Sequence, residues 1–174
     1  MMIRKAMEQD IPAIAAIYDA ILTKEEQEPT TVVGWLRGIY PTEQTARDSL
    51  ALGELYVMEV DGRVVSAAKI NQEQVPEYAD CQWQYDAPPE KVLVIHTLVV
   101  DPALQGRGYA SQFVAYYEAM ARNMDCPYLR MDTNSHNLPA RALYKRLGYT
   151  EPGIVDCVFN GIPGVHLVCL EKKL

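Results

Sequence analysis

No Gly-Lys-Ser or Gly-Lys-Thr occurs anywhere in the 174 residues, which excludes a Walker phosphate loop. No apolar run reaches the ~18 residues that a membrane-spanning helix needs. Met1 to Asp10 holds no apolar stretch of the secretory kind. There is no basic excess either. Lys and Arg number 16 against 23 Asp and Glu, a net charge of -7, which argues against a nucleic-acid partner with its need for a basic face. Cys81, Cys126, Cys157 and Cys169 are widely spaced and form no C-x-x-C pair. They are expected as free thiols in a reducing, cytoplasmic compartment rather than as a disulfide frame or zinc site. Repeats, low-complexity tracts and linkers are also missing.

What is present fits an ordinary globular chain, 49% hydrophobic and 22% charged. One domain over residues 1–174 is expected, large enough for a substantial core. Met2 to Ala6 reads as a short strand. Ile11, Ile14, Ile17 and Ile21 recur at helical spacing behind Pro12, predicting a helix over Glu8 to Leu22. Thr23 to Pro41 has no clean period. Thr42 caps a helix running to about Leu52, with Gly53 as its stop. Glu54–Val60 and Arg63–Ile70 flank Asp61-Gly62, a strong hairpin signal. Asn71 to Lys91 reads as a long, acidic, aromatic loop.

Val92 to Val100 is nearly all apolar, as a strand buried on both faces should be. The rest reads as a helix over Gly108–Asn123, a strand over Pro127–Asp132 and a helix over Asn137–Leu147. Strands Tyr149–Phe159 and Val165–Glu171 follow, joined through Asn160 to Gly164.

The strand Val92–Val100 feeds Gln105-Gly106-Arg107-Gly108-Tyr109-Ala110, which opens a helix. Glycines there admit close backbone approach, and the first helical N–H groups are free donors for an anion. A dinucleotide fingerprint is excluded because Ser111 stands where its third glycine belongs. The six residues do fit Gln/Arg-x-x-Gly-x-Gly/Ala. Downstream, Asn137 to Tyr149 fits Asn-x-x-Ala-x-x-Leu-Tyr-x-x-x-Gly-Phe/Tyr. On these two motifs the chain resembles the GNAT superfamily of acyl-CoA-dependent N-acyltransferases. The resemblance is sharp over Val92 to Tyr149 and extends in layout over nearly the whole chain.

That resemblance implies an α/β (α+β) fold. Its central sheet is mixed and mostly antiparallel, with helices on both faces and a splay between the fourth and fifth strands. It also implies acetyl-CoA as co-substrate and no metal. Backbone amides of Gln105, Gly106, Arg107, Gly108, Tyr109 and Ala110 would hold the pyrophosphate, and Arg107 is either a further phosphate contact or an ordinary solvated side chain. Leu98 and Val100 would give backbone hydrogen bonds to the pantetheine arm, Asn137 would hydrogen-bond it too, and Val99 and Ala140 would also contact the cofactor. Asn137 also suits a helix N-cap. The Leu98 backbone amide would polarise the thioester carbonyl, and Tyr144 would be the acid for the leaving thiolate.

The base is less determined. His96 titrates near neutrality, and strict alternation puts it on the same face as Val94 and Leu98. A second histidine two residues earlier, found in one branch of the family, is replaced here by Val94. His96 is therefore either the base or a hydrogen-bonded core residue. Asp132 is read as ordering the following loop. Glu59, Glu73 and Glu77 are further acceptor-site acids to consider, and a water chain would need no dedicated base.

The expected reaction is acetyl transfer to a small-molecule primary amine by direct attack in a ternary complex. Trp35, Tyr40 and the Asn71–Glu90 loop suit a cationic or aromatic acceptor. Two alternatives stay open: a protein N-terminal or lysine acetyltransferase, and a CoA-binding sensor without turnover. Homodimers are common in such a fold, and no residue here marks an interface.

Overall fold

A computed structural model describes residues 1–174. Seven strands form one sheet in the order β1-β2-β3-β4-β5-β7-β6: β1 Met2–Lys5, β2 Leu55–Val60, β3 Arg63–Asn71, β4 Val92–Val100, β5 Tyr128–Asn134, β6 Thr150–Phe159 and β7 Ile162–Lys173. Every neighbouring pair is antiparallel except β4 and β5. Four helices cover the sheet: α1 Ile11–Gln27, α2 Glu43–Ala51, α3 Tyr109–Asn123 and α4 Leu138–Arg146. None is long and apolar enough to cross a membrane.

The alternation of each strand sorts its side chains between two layers. Leu93 and Ile95 of β4, Leu129 and Met131 of β5 and Val168 and Leu170 of β7 pack with Phe113, Val114 and Tyr117 of α3 and Tyr144 of α4. On the opposite face, Leu55, Val57, Ala67 and Val99 pack with Ile11, Ile14, Ile17 and Tyr18 of α1 and Ala46 of α2. Val92, Val94, Leu167 and Cys169 complete that face with Tyr78 and Cys81. Burying aromatics such as Tyr117 and Phe113 fully stabilises the layers through apolar area.

Two features of β4 set up the site. It pairs with β5 only over Val92–Val94 against Tyr128–Arg130. Ile95–Val100 and Met131–Asn134 then continue as strands without pairing to each other, which is the expected splay. Along its other edge β4 carries a bulge against β3. His96 pairs with Lys69 and Val99 with Ala67, so Thr97 and Leu98 together oppose Ala68. Thr97 takes the left-handed conformation, φ 50°, as a bulged residue can.

Two elements differ from expectation, and the expected long loop gains local structure. Helix α1 continues to Gln27, five residues past Leu22, carrying polar side chains that need no burial. Strand β7 begins at Ile162, so the β6–β7 connection is only Asn160-Gly161, both at positive φ. That is the two-residue hairpin these two residues favour. The Asn71–Lys91 loop is an ordered strap. It contains a 3-10 turn at Pro76–Asp80 that buries Tyr78, and a second turn at Pro89–Lys91.

Candidate active site

A cavity of about 770 Å³ passes through the gap between β4 and β5, a size that suits a small ligand. At one end it meets Gln105, Gly106, Gly108, Tyr109, Ala110 and Ser111 at the start of α3. Gly108 caps that helix in the left-handed conformation, φ 79°, and Gly106 has the same φ with open space where a side chain would stand. The glycines are therefore required by backbone conformation. They leave the first-turn amides of α3 facing the cavity with partial positive charge. Arg107, by contrast, is exposed and does not line it.

The middle of the cavity is walled by Leu98, Val99 and Val100 from β4 and by Asn137, Ala140 and Tyr144 from the α4 region. Asn137 caps α4, accepting from the Ala140 N–H at 3.3 Å. Tyr144 packs edge-on against Tyr149, with ring centroids 6.0 Å apart. Its hydroxyl has no bonding partner in the protein, and burial pushes its pKa well above 10. An unpaired strand edge, free helix amides and an unbonded phenol make a slot that fits an extended thioester with an anionic tail.

His96 does not share a face with Leu98. The bulge inserts one residue between them, so Leu98 turns toward the α3–α4 layer while His96 stays opposite Lys69. Its Nε2 bonds Asn71 Oδ1 at 2.8 Å. Burial, reinforced by the Lys69 cation, lowers its pKa to about 4. The ring is thus neutral and a weak proton acceptor near pH 7, although it does reach the cavity wall.

Asp132, on the unpaired end of β5, puts a carboxylate in the cavity beside the gap, while Glu25 and Glu28 line its outer wall. Burial raises its pKa to about 6, against a hydrogen bond from the Tyr78 hydroxyl at 2.7 Å that lowers it. The sequence reading gave Asp132 the ordering of the following loop, because β5 looks like any strand ending in a polar loop. A half-buried carboxyl poised near neutrality inside a cleft is a functional-site signature. The other acids considered do not line the cavity. Glu59 bonds Arg4 at the far sheet edge, Glu73 pairs with Lys69, and Glu77 stays on the strap.

Beyond Asp132 the cavity opens between Gly34, Trp35 and Tyr40 on one side and Val75, Phe159, Ile162, Val165 and Leu167 on the other. The Glu25 carboxylate shapes the first wall, accepting the N–H groups of Val32, Val33 and Gly34 at 2.8–3.1 Å. Tyr40 hydrogen-bonds the Thr97 hydroxyl and so ties this wall to the bulge. At Gly34, φ is +74° and an added Cβ would come within 2.4 Å of Asn134 Nδ2. Gly34→Ala is expected to cost about 1 kcal/mol, a fall in Tm of a few degrees. It should raise the KM for the acceptor more than that for acetyl-CoA. Melting curves and two-substrate kinetics check both.

A family model described as the acetyltransferase (GNAT) family matches residues 17–149. The chain belongs to that family. It is similar to a GNAT-family acetyltransferase from Streptococcus agalactiae 2603, with TM-score 0.80, 22% identity and coverage of 99% of this chain and 95% of that one. The ribosomal-protein-alanine N-acetyltransferase of Brucella melitensis superposes with TM-score 0.72 at 20% identity, over 100% of both chains. The acetyltransferase yncA of Salmonella typhimurium, solved with its cofactor acetyl-CoA, gives TM-score 0.69 at 20% identity, covering 100% of this chain and 94% of that one. Likeness at these identities establishes the fold. Among curated proteins, the N-acetyltransferase YycN of Bacillus subtilis (strain 168), itself uncharacterized, is 26% identical over 87 residues, 50% of this chain and 55% of that protein. The match therefore spans about half of that relative's length.

Proposed function

We propose that this chain is an acetyl-CoA-dependent N-acetyltransferase acting on a small-molecule primary amine with an apolar or aromatic body. One observation carries the reading: Asp132, Tyr144 and the α3 first-turn amides all line a single cavity that passes through the β4–β5 gap. Bound there, acetyl-CoA would supply the activated acetyl group. The amides of Gly108, Tyr109 and Ala110 would hold its phosphates, and Leu98, Val100 and Asn137 would hold its arm. The Leu98 N–H would polarise the carbonyl. Asp132, rather than His96, would take the proton from the acceptor ammonium. Tyr144 would give a proton to the leaving sulfur. Trp35, Tyr40, Phe159 and Val165 would accept the apolar body of the amine.

A second reading has its own support. A shallower groove of about 500 Å³ shares Gly34, Trp35, Asn134, Ile162 and Val165 with the cavity and continues it outward past His136 and His166. An amine carried on a peptide could leave along it. Purified protein is expected to gain stability with acetyl-CoA, about 2.7 kcal/mol at a concentration 100 times Kd. It should then release thiol with small aromatic amines. No stabilisation by acetyl-CoA or CoA removes the cofactor assignment. Thiol release with short peptides but not with free amines selects the second reading, and binding without release to any amine selects a sensor.

A further inference from the structure

Resting on the proposed transferase reading, we propose that the Asn71–Lys91 strap is a positioning device for the base, delivering the Tyr78 hydroxyl onto the Asp132 carboxylate from a buried Arg130–Glu171 anchor. Arg130 and Asp132 lie two residues apart on β5 and so share a face. Arg130 and Glu171 of β7 are cross-strand partners, with side chains 6% and 0% exposed. The guanidinium donates through Nε and Nη2 to Glu171 Oε1 at 3.1 and 3.0 Å, to Gln74 Oε1 at 2.6 Å and to the Tyr85 carbonyl at 2.9 Å. Glu171 Oε2 accepts the backbone N–H groups of Gln84 and Tyr85. Gln74, Gln84 and Tyr85 all belong to the strap, so one buried ion pair holds the segment on both sides of its 3-10 turn.

The turn itself is braced by Trp83. Its ring lies 4.1 Å from the Arg130 guanidinium carbon, and its Nε1 donates to the Tyr78 carbonyl at 2.9 Å. Tyr78 is 2% exposed and its only side-chain hydrogen bond goes to Asp132. An ion pair so deeply buried is a poor source of net stability, whereas holding a hydroxyl on a cavity carboxylate gives the network a use. The chain of contacts runs from Glu171 through Arg130 and Trp83 to Tyr78 and ends on one oxygen of Asp132. The remaining titratable groups around Asp132 are Glu77 of the strap, Tyr40 of the loop before α2, Tyr144 of α4, Cys157 of β6 and Cys169 of β7. None of these is a cation, and Arg130 on the same face is committed to Glu171, so Tyr78 is the group whose hydrogen bond favours the ionised carboxylate.

The test is Tyr78→Phe, with Trp83→Phe as a second, milder variant. Removing the hydroxyl should move the Asp132 titration up by about one pH unit. The acidic limb of kcat/KM should follow it. Activity then falls about fivefold at pH 6 and recovers by pH 8, with the KM for acetyl-CoA unchanged. Trp83→Phe should shift the limb the same way by less. A loss equal at all pH values would mean that the strap is merely structural and would overturn the proposal. An unmoved limb would do the same. Carboxyl ¹³C titration of Asp132 in wild type and Tyr78→Phe reads the coupling without turnover. If no amine is ever acetylated but the carboxyl titration moves, the transferase reading fails while the positioning contact stands.

Discussion

Asp132→Asn is expected to abolish most turnover while making the protein more stable at pH 7.5. The amide keeps the shape of the carboxylate and still accepts from Tyr78, but it cannot take a proton from the acceptor. Loss of a general base costs about 10²–10⁴ in rate. The stability change follows from the same burial. The folded protein raises the Asp132 pKa from 3.8 to about 6. Between those values the native state binds the proton that the unfolded chain has lost, so stability falls as pH rises through the window and stays reduced above it. Asparagine removes this penalty, which is at most about 3 kcal/mol above pH 6. The melting temperature should rise by several degrees at pH 7.5 and match wild type near pH 4.

His96 acts in the opposite sense. Its folded pKa is lowered from 6.5 to about 4, so the unfolded chain binds the extra proton in that window and stability falls as pH falls. The two slopes oppose each other in wild type between about pH 4 and 6. Asp132→Asn should expose the His96 slope, and melting curves across that range measure it. A variant that loses activity without gaining stability at pH 7.5 would show that the carboxylate is not held at a cost.

Local chemistry made much of this legible in the sequence. Val92–Val100 is apolar because β4 is buried on both faces, and the glycines of the α3 loop announce their conformation by being glycines. Asn137 and Tyr144 fall about two turns apart on a helix whose spacing is fixed, so reading the motif placed both on the cavity. The faults came where partners far apart in the chain decide the outcome. Thr97 gives no sign of a left-handed backbone, and the bulge exists only because β3 pairs with β4 on both sides of it. Strict alternation therefore put His96 and Leu98 on one face, whereas the bulge leaves His96 with Val94 and turns Leu98 to the other. Asp132 acquires its raised pKa from burial under a strap whose Tyr78 lies 54 positions away. Asn160-Gly161 was a readable signal that a longer connection obscured.

Tyr144→Phe should lower kcat by about 10²–10⁴ with little change in stability or in the KM for acetyl-CoA. Phenylalanine keeps the ring edge-on to Tyr149 and the packing against the α3–α4 layer. It loses only a hydroxyl that no protein group bonds. Burial holds that phenol far above its ordinary pKa, and the Asp132 carboxylate adds to the effect. The phenol therefore keeps its proton from pH 6 to pH 9. An acid so placed gives no basic limb of its own to the pH profile, and the rate loss in Tyr144→Phe should be nearly constant from pH 6 to pH 9. This separates Tyr144 from Tyr78, whose removal matters only where Asp132 titrates. If kcat in Tyr144→Phe stays within about threefold of wild type, the phenol is a packing residue and the leaving sulfur takes its proton from solvent.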